Sequence, residues 1–237
     1  MDNAMTGHDA FPNGHLLITP EALQARLGDG NLVILDVRPT HELAASGWIP
    51  GAVHFDLYGL GLTRTTPELF REWITMMRSQ FALRGVGMDR TVVAYEETSG
   101  NRAARAFWLL EYMGHADVHV LDGGFAAWRG AGLEVSREMT APKPKSFKIQ
   151  PRESIFISAD ALNERLGEEG MVLLDTRDDD EYYARNVRAK RGGTIPGAVH
   201  LEWLQYLDDA GRFKPKEELA ALFEGVGITG DKAIVPF

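Results

Sequence analysis

The chain is written twice. ITPEALQARLG at Ile18–Gly28 returns as ISADALNERLG at Ile157–Gly167, and ILDVR at Ile34–Arg38 returns as LLDTR at Leu173–Arg177. IPGAVH stands unchanged at Ile49–His54 and Ile195–His200, the spacing having grown by an insertion inside NVRAKRGG. GVG at Gly85–Gly87 and Gly225–Gly227, then DRTVVAY at Asp89–Tyr95 and DKAIVPF at Asp231–Phe237, complete the series in the same order. Ordered self-similarity of this kind means one fold used twice. It divides a chain of 237 residues into two domains of ordinary size. Between the copies, SREMTAPKPKSFKIQPRES loses its apolar periodicity and carries Pro142, Pro144 and Pro151, the mark of a linker. The expected organisation is a flexible tail over 1–14, a first domain over 15–135, a linker over 136–154 and a second domain over 155–237.

Within each copy Thr19 or Ser158 reads as an N-cap, because its hydroxyl can accept from an orphan N–H at a helix start. NLVILDVR and MVLLDTR are short β-rich apolar runs ending in polar residues, the pattern of a strand buried on both faces. The IPGAVH turn and strand follow, then a helix around PELFREWITMMRSQF or PKEELAALFEGV, then a second buried strand, TVVAY or AIVPF. The first copy goes on through EETSGN to a helix, RAARAFWLLEYMG, and a strand, VHVLD. Strands alternating with helices imply an α/β fold, each copy a parallel sheet with helices on both faces. Ligands of such sheets sit outside the carboxyl ends of the strands, which directs attention to the ends of DVR, DTR, VVAY and AIVPF.

Composition removes several classes of function. Lys and Arg total 25 against 34 Asp and Glu, a formal net charge of −9, so the protein repels polyanions and nucleic acid is not an expected partner. Neither a basic, apolar leader nor a run long enough to span a membrane is present, and a soluble cytoplasmic protein is expected. The absence of cysteine excludes disulfides, thiolate metal sites and a thiol nucleophile within these residues. No GxGxxG, P-loop, HExxH or nucleophile-elbow pattern occurs, and no cofactor is expected. His115 and His119 have the spacing of a metal pair, but GHADVHV reads as a turn entering a strand, so that spacing does not put them on one face. No metal is expected either.

With these residues in view, the sequence resembles the rhodanese family of sulfurtransferases, in its tandem two-domain thiosulfate or 3-mercaptopyruvate form. Asp36-Val37-Arg38, Trp48 to His54, Gly114-His115 and Leu121 to Trp128 carry the likeness in the first copy. Asp175-Thr176-Arg177, Gly193 to His200 and DDAGRFKPKEELAALFEGVGI carry it in the second. The resemblance implies an inactive first domain and a catalytic second one. Its nucleophile would be a cysteine directly after the strand AIVPF, so directly after Phe237, in a loop leading into a helix. A helix start and converging N–H groups lower a thiol's pKa and can hold a persulfide. The expected reaction passes a sulfane sulfur from thiosulfate or 3-mercaptopyruvate through a persulfide to a thiol or cyanide. The first copy has Glu96-Glu97 after its corresponding Tyr95, where carboxylates would repel an anionic donor. On this reading the second copy is incomplete at Phe237, and the protein is a monomer whose pseudo-dimer is internal.

Each candidate group has a functional and a structural reading. Arg177, like Arg38, ends a strand and could hold an anion; the pair DxR occurs in both copies, which favours tying strand ends to nearby backbone. Arg185, Arg188, Lys190 and Arg191 lie in the insertion of the second copy, and of these Arg188 and Arg191 are candidates for gathering the donor, or parts of a solvated loop. The resemblance implies a donor-binding Arg four residues beyond that of DTR, but Glu181 stands there and leaves the donor open. Trp203 falls where the resemblance places an aromatic against the persulfide, or else in the core. Arg102 would face the cleft between domains packed as in the family, or pair with Glu96 or Glu97. The rival function is a non-catalytic binding or regulatory module of the same fold.

Overall fold

The computed structural model describes residues 11–62, 64–138 and 140–237. Residues 1–10 of the expected tail lie outside the described residues; Phe11–Gly14 form a turn, closed by the Gly14 N–H on the Phe11 carbonyl, into a 3-10 segment at Gly14–Leu16. The chain divides into two compact units. The first reaches Asp160 and takes in Asp209–Arg212; the second holds Ala161–Asp208 and Phe213–Phe237.

The first unit is built on strands β1 (Leu17–Ile18), β2 (Leu32–Asp36), β3 (Val53–His54), β4 (Thr91–Tyr95) and β5 (Val118–Leu121). They form one sheet in the order β1-β5-β4-β2-β3, every pair parallel. Its helices are α1 (Pro20–Gln24), α2 (Thr40–Ser46), α3 (Pro67–Leu83), α4 (Asn101–Tyr112) and α5 (Gly124–Gly130). Thr19 caps α1 as the sequence predicts, its hydroxyl accepting from the Ala22 N–H at 3.2 Å. Alternate residues of the apolar strands serve opposite faces. Val33, Leu35, Val92 and Ala94 pack with Phe70, Ile74, Met77 and Phe81 of α3 and Ala103, Ala106, Leu109 and Leu110 of α4. Ile34, Val93 and Tyr95 pack on the other side with Leu23 of α1 and Phe125 and Trp128 of α5. Full burial of each such apolar side chain is worth about 1.5–3 kcal/mol, which explains why β2 and β4 are apolar at every position that lies under a helix.

The proline-rich stretch after Ser136 adds to this unit. Phe147 is 2% exposed, and the N–H groups of Lys145, Gln150 and Arg152 donate to the carbonyls of Ala82, Met113 and Tyr112. Phe156 stacks flat on Phe70 with ring centroids 3.8 Å apart. Prolines deny this segment a regular ladder, so its attachment is by single backbone bonds and buried rings.

The second unit repeats the centre of the first. Strands β6 (Met171–Asp175), β7 (Val199–His200) and β8 (Ala233–Pro236) form a parallel sheet in the order β7-β6-β8, matching β3-β2-β4. Helices α6 (Ala159–Glu164), α7 (Asp179–Tyr182) and α8 (Lys216–Gly225) complete the regular elements. The core is smaller: Leu174, Leu201 and Ile228 are buried, with Leu222, Phe223 and Tyr206 packed against them. No helix among the described residues is long and apolar enough to cross a membrane.

Candidate functional site at the strand ends

Both copies fasten the end of their first long strand with the same brace. In the first, Arg38 forks onto Asp36, with Nε 3.0 Å from Oδ1 and Nη2 2.5 Å from Oδ2, and donates to the Gly47 carbonyl at 2.7 Å and the Ser46 hydroxyl at 2.9 Å. The Tyr95 hydroxyl donates to Asp36 Oδ2 at 2.6 Å and accepts from the Ile49 N–H at 3.2 Å. Arg38 is fully buried, its guanidinium 4.0 Å from the centre of the Phe125 ring. Burial acts to lower its pKa, but the bond to Asp36 and that carboxylate's charge outweigh it and hold the group above the ordinary value. Burial first, and Asp36 second, push the Tyr95 phenol well up. The Arg38 guanidinium is closed off by these partners.

In the second copy Arg177 forks onto Asp175 at 2.9 and 2.5 Å and donates to the Gly193 carbonyl at 2.9 Å. Thr194 takes the role of Tyr95, its hydroxyl donating to Asp175 Oδ2 at 2.6 Å. Burial would raise the Asp175 pKa; the bonds from Arg177 and Thr194 more than offset it and hold the carboxyl below the usual range. His54 and His200 also match, Nε2 of each within 3.0 Å of the carbonyl of Arg38 or Arg177. The DxR pairs and these histidines thus tie the strand ends to nearby backbone in both copies. One difference remains: the Arg177 side chain is 32% exposed and its partner in the first copy 0%.

Exposure of Arg177 is at the end of β8. Its guanidinium carbon lies 5.7 Å from the centre of the Phe237 ring. The Thr176 N–H donates to the Phe237 carbonyl at 3.0 Å, as the Val37 N–H donates to that of Tyr95 at 2.9 Å, so Phe237 occupies the register of Tyr95. Trp203 opens a 3-10 turn, half-buried, with its N–H on the Thr176 carbonyl at 3.0 Å. Arg188 lies 3.7 Å from Glu181, which is 3.9 Å from Arg177. Arg177, Trp203 and Arg188 are thus brought to one end of the second sheet, whereas Arg191 is exposed on the insertion. Arg102 belongs to the first unit, where its guanidinium pairs with Asp56 at 3.0 Å and lies over the Tyr58 ring at 4.4 Å; its backbone N–H, not its side chain, meets Glu96.

What fills the corresponding loop of the first copy is a carboxylate. Oε1 of Glu96 accepts from the N–H groups of Arg102 at 2.6 Å and Ala103 at 2.9 Å, two of the orphan donors at the start of α4. A Cβ on Gly100 would lie 2.7 Å from the Glu96 carboxyl carbon, so the carboxylate packs directly against the loop backbone. Burial raises the Glu96 pKa and the two N–H donors oppose it without cancelling it. Glu97 points elsewhere, to Arg129. The sequence marked these carboxylates only as repulsive to an anion; in the structure Glu96 is itself the bound anion. An acidic residue a few positions before a helix start was the available signal.

Two further features sit in the first unit. The rings of His115 and His119 have separate partners, the Gly87 carbonyl for one and the His15 carbonyl and Asp117 for the other. A cavity of about 320 Å³ is lined by Asp36, Thr40, Leu43, Trp48, Ala52, His54 and Thr140.

A family model described as a Rhodanese-like domain matches residues 19–131 and 158–235. The thiosulfate sulfurtransferase of Azotobacter vinelandii is 33% identical over 227 residues, covering 96% of this chain and 83% of that protein. A protein of Pseudomonas aeruginosa named "Probable 3-mercaptopyruvate sulfurtransferase" is 34% identical over 228 residues, covering 89% of this chain and 78% of its own. Among solved structures, that of SseA from Escherichia coli, described as a 3-mercaptopyruvate sulfotransferase, aligns with a TM-score of 0.79 at 24% identity, over 93% of this chain and 87% of that one.

Proposed function

The chain belongs to the family of rhodanese-like domains and is a sulfurtransferase of that family, and from this premise we propose that its second copy carries out the transfer through a cysteine persulfide. The observation that carries the proposal is the shared register of Tyr95 and Phe237. It makes the position after Phe237 the counterpart of Glu96, the residue whose carboxylate is held by the start of α4. A thiolate at that place would meet the same kind of N–H donors and ionise readily. It would attack the outer sulfur of thiosulfate; the S–S bond breaks, sulfite leaves with the electron pair, and the cysteine retains the sulfur as a persulfide. Attack of cyanide or a thiol on that outer sulfur returns the thiolate. Arg177, with part of its guanidinium exposed beside Phe237, and Arg188 and Arg191 from the insertion would gather the anionic donor, and Trp203 would flank the persulfide.

Incubation of the full-length protein with thiosulfate alone should yield a species heavier by one sulfur, and addition of cyanide should release thiocyanate. Absence of both with thiosulfate and with 3-mercaptopyruvate refutes the catalytic reading. The retention of Glu96 in the first copy favours one rival, a non-catalytic module in which the second copy is occupied likewise. A carboxylate or serine after Phe237 in the full-length protein would decide for it.

A further inference from the structure

The insertion that only the second copy carries is folded back onto an acidic turn that only the second copy carries. Asp178-Asp179-Asp180-Glu181 stands where the first copy has Pro39-Thr40-His41-Glu42. Arg185 Nε is 2.6 Å from Asp180 Oδ1, and the Asn186 N–H donates to the Asp180 carbonyl at 2.8 Å. Arg188 reaches two acids, Nε 3.7 Å from Glu181 and Nη2 3.9 Å from Asp178. The chain reverses at Ala184 with φ of +59°, a region uncommon for a residue with a Cβ. Across the loop a Cβ on Gly192 would lie 2.8 Å from Val187 and 2.9 Å from Ala184. A close approach that needs glycine marks the insertion as a packed loop with a set path.

Glu181 is its junction. The side chain is 14% exposed, between Arg177 at 3.9 Å and Arg188 at 3.7 Å. Since Arg177 also lies against Phe237, contacts run without a break from the end of β8 through Arg177 and Glu181 to Arg188. One sheltered carboxylate is therefore shared by the two guanidiniums at this strand end, Arg177 already forked on Asp175 and Arg188 also 3.9 Å from Asp178. The contacts of Glu181 are charge contacts longer than a hydrogen bond, and the Arg188 side chain is 62% exposed. Such pairs are weak and screened by salt, so a second anion of higher charge can take Arg188 over.

We propose that Glu181 is a specificity-determining latch, holding Arg188 on α7 until a doubly charged sulfur oxyanion of the thiosulfate kind displaces it. The inference rests on the sulfurtransferase reading above. A singly charged carboxylate donor such as 3-mercaptopyruvate competes less well with Glu181, so the latch favours dianions.

Kinetics of full-length Glu181→Gln, Glu181→Asp and Arg188→Gln with both donors at low ionic strength test it. Glu181→Gln should lower KM for 3-mercaptopyruvate by about threefold, the size of one exposed ion pair, and that for thiosulfate less, with kcat moving less than either. Arg188→Gln should raise KM for thiosulfate by about as much. Glu181→Asp, which keeps the charge, should behave as the parent. An unchanged ratio of the two KM values in Glu181→Gln overturns the latch. Should the parent turn over no donor, the sulfurtransferase reading fails, and calorimetric titration with thiosulfate still decides the latch. Tighter binding in Glu181→Gln and weaker in Arg188→Gln supports it; equal binding in all three proteins overturns it.

Discussion

Arg38 and Arg177 end matching strands, grip matching aspartates and donate to matching carbonyls, yet the two braces are completed by different groups. In the first copy the Tyr95 phenol closes over the brace and Phe125 of α5 covers the guanidinium. In the second, a threonine hydroxyl from the loop before β7 supplies the bond. The same local code is thus completed by a phenol from β4 in one copy and by a hydroxyl from the loop before β7 in the other. A residue pattern repeated in two copies identifies the brace; it does not say which copy can bind.

The largest test of that difference removes the aspartates. Asp36→Ala leaves a fully buried guanidinium without its partner and should cost about 3–5 kcal/mol. Asp175→Ala should cost roughly half as much, because solvent reaches Arg177. Urea unfolding of the two variants reads both, and equal losses would erase the distinction. Next, Phe147→Ala should destabilise by about 3 kcal/mol and lower the unfolding of the first unit alone, since Phe147 is buried in that unit's core. Hydrogen exchange in β4 and β6 separates the units, and equal loss of protection in both strands would show that the segment serves both.

Acidity should act on the two copies with opposite sign. The Glu96 pKa is raised from its ordinary 4.5, chiefly by burial, so the folded state holds its proton more tightly than the unfolded chain. Its contribution is present below that value and is lost as pH rises through the raised one. The Asp175 pKa is depressed from 3.8, so its contribution is present above that value and is lost as pH falls. Stability of the parent minus that of Glu96→Gln should therefore decline with rising pH above the ordinary Glu value, while the corresponding difference for Asp175→Asn should decline on acidification. Slopes of like sign would contradict the assignment. The smallest expected effect is that of Arg102→Ala, which breaks a partly exposed pair with Asp56 and should cost at most about 1 kcal/mol.

Much of this was legible without coordinates. The repeat gave the two copies, the apolar runs gave β2, β4, β6 and β8, and the recurrence of DxR pointed to a brace. Other features were not. β1 is only Leu17–Ile18, too short to show a period, and α2 and α7 are single short helices on polar sequence. Prolines in the stretch after Ser136 hid the burial of Phe147, because turn-forming residues report local conformation and not what a neighbouring ring does. Glu181 showed itself as a departure from the family, but its place between two arginines separated by ten positions of chain could not be read.

By itself, then, the sequence determined which segments become strands and that the brace is built twice, because periodicity and neighbouring residue types act over a few positions of chain. Only the tertiary structure decided that Glu96 fills its own helix start, that Thr194 stands in for Tyr95, and that Glu181 lies between Arg177 and Arg188. Each of those depends on which groups from distant parts of the chain converge on one carboxylate or one guanidinium, and burial and pairing energies are set by that convergence.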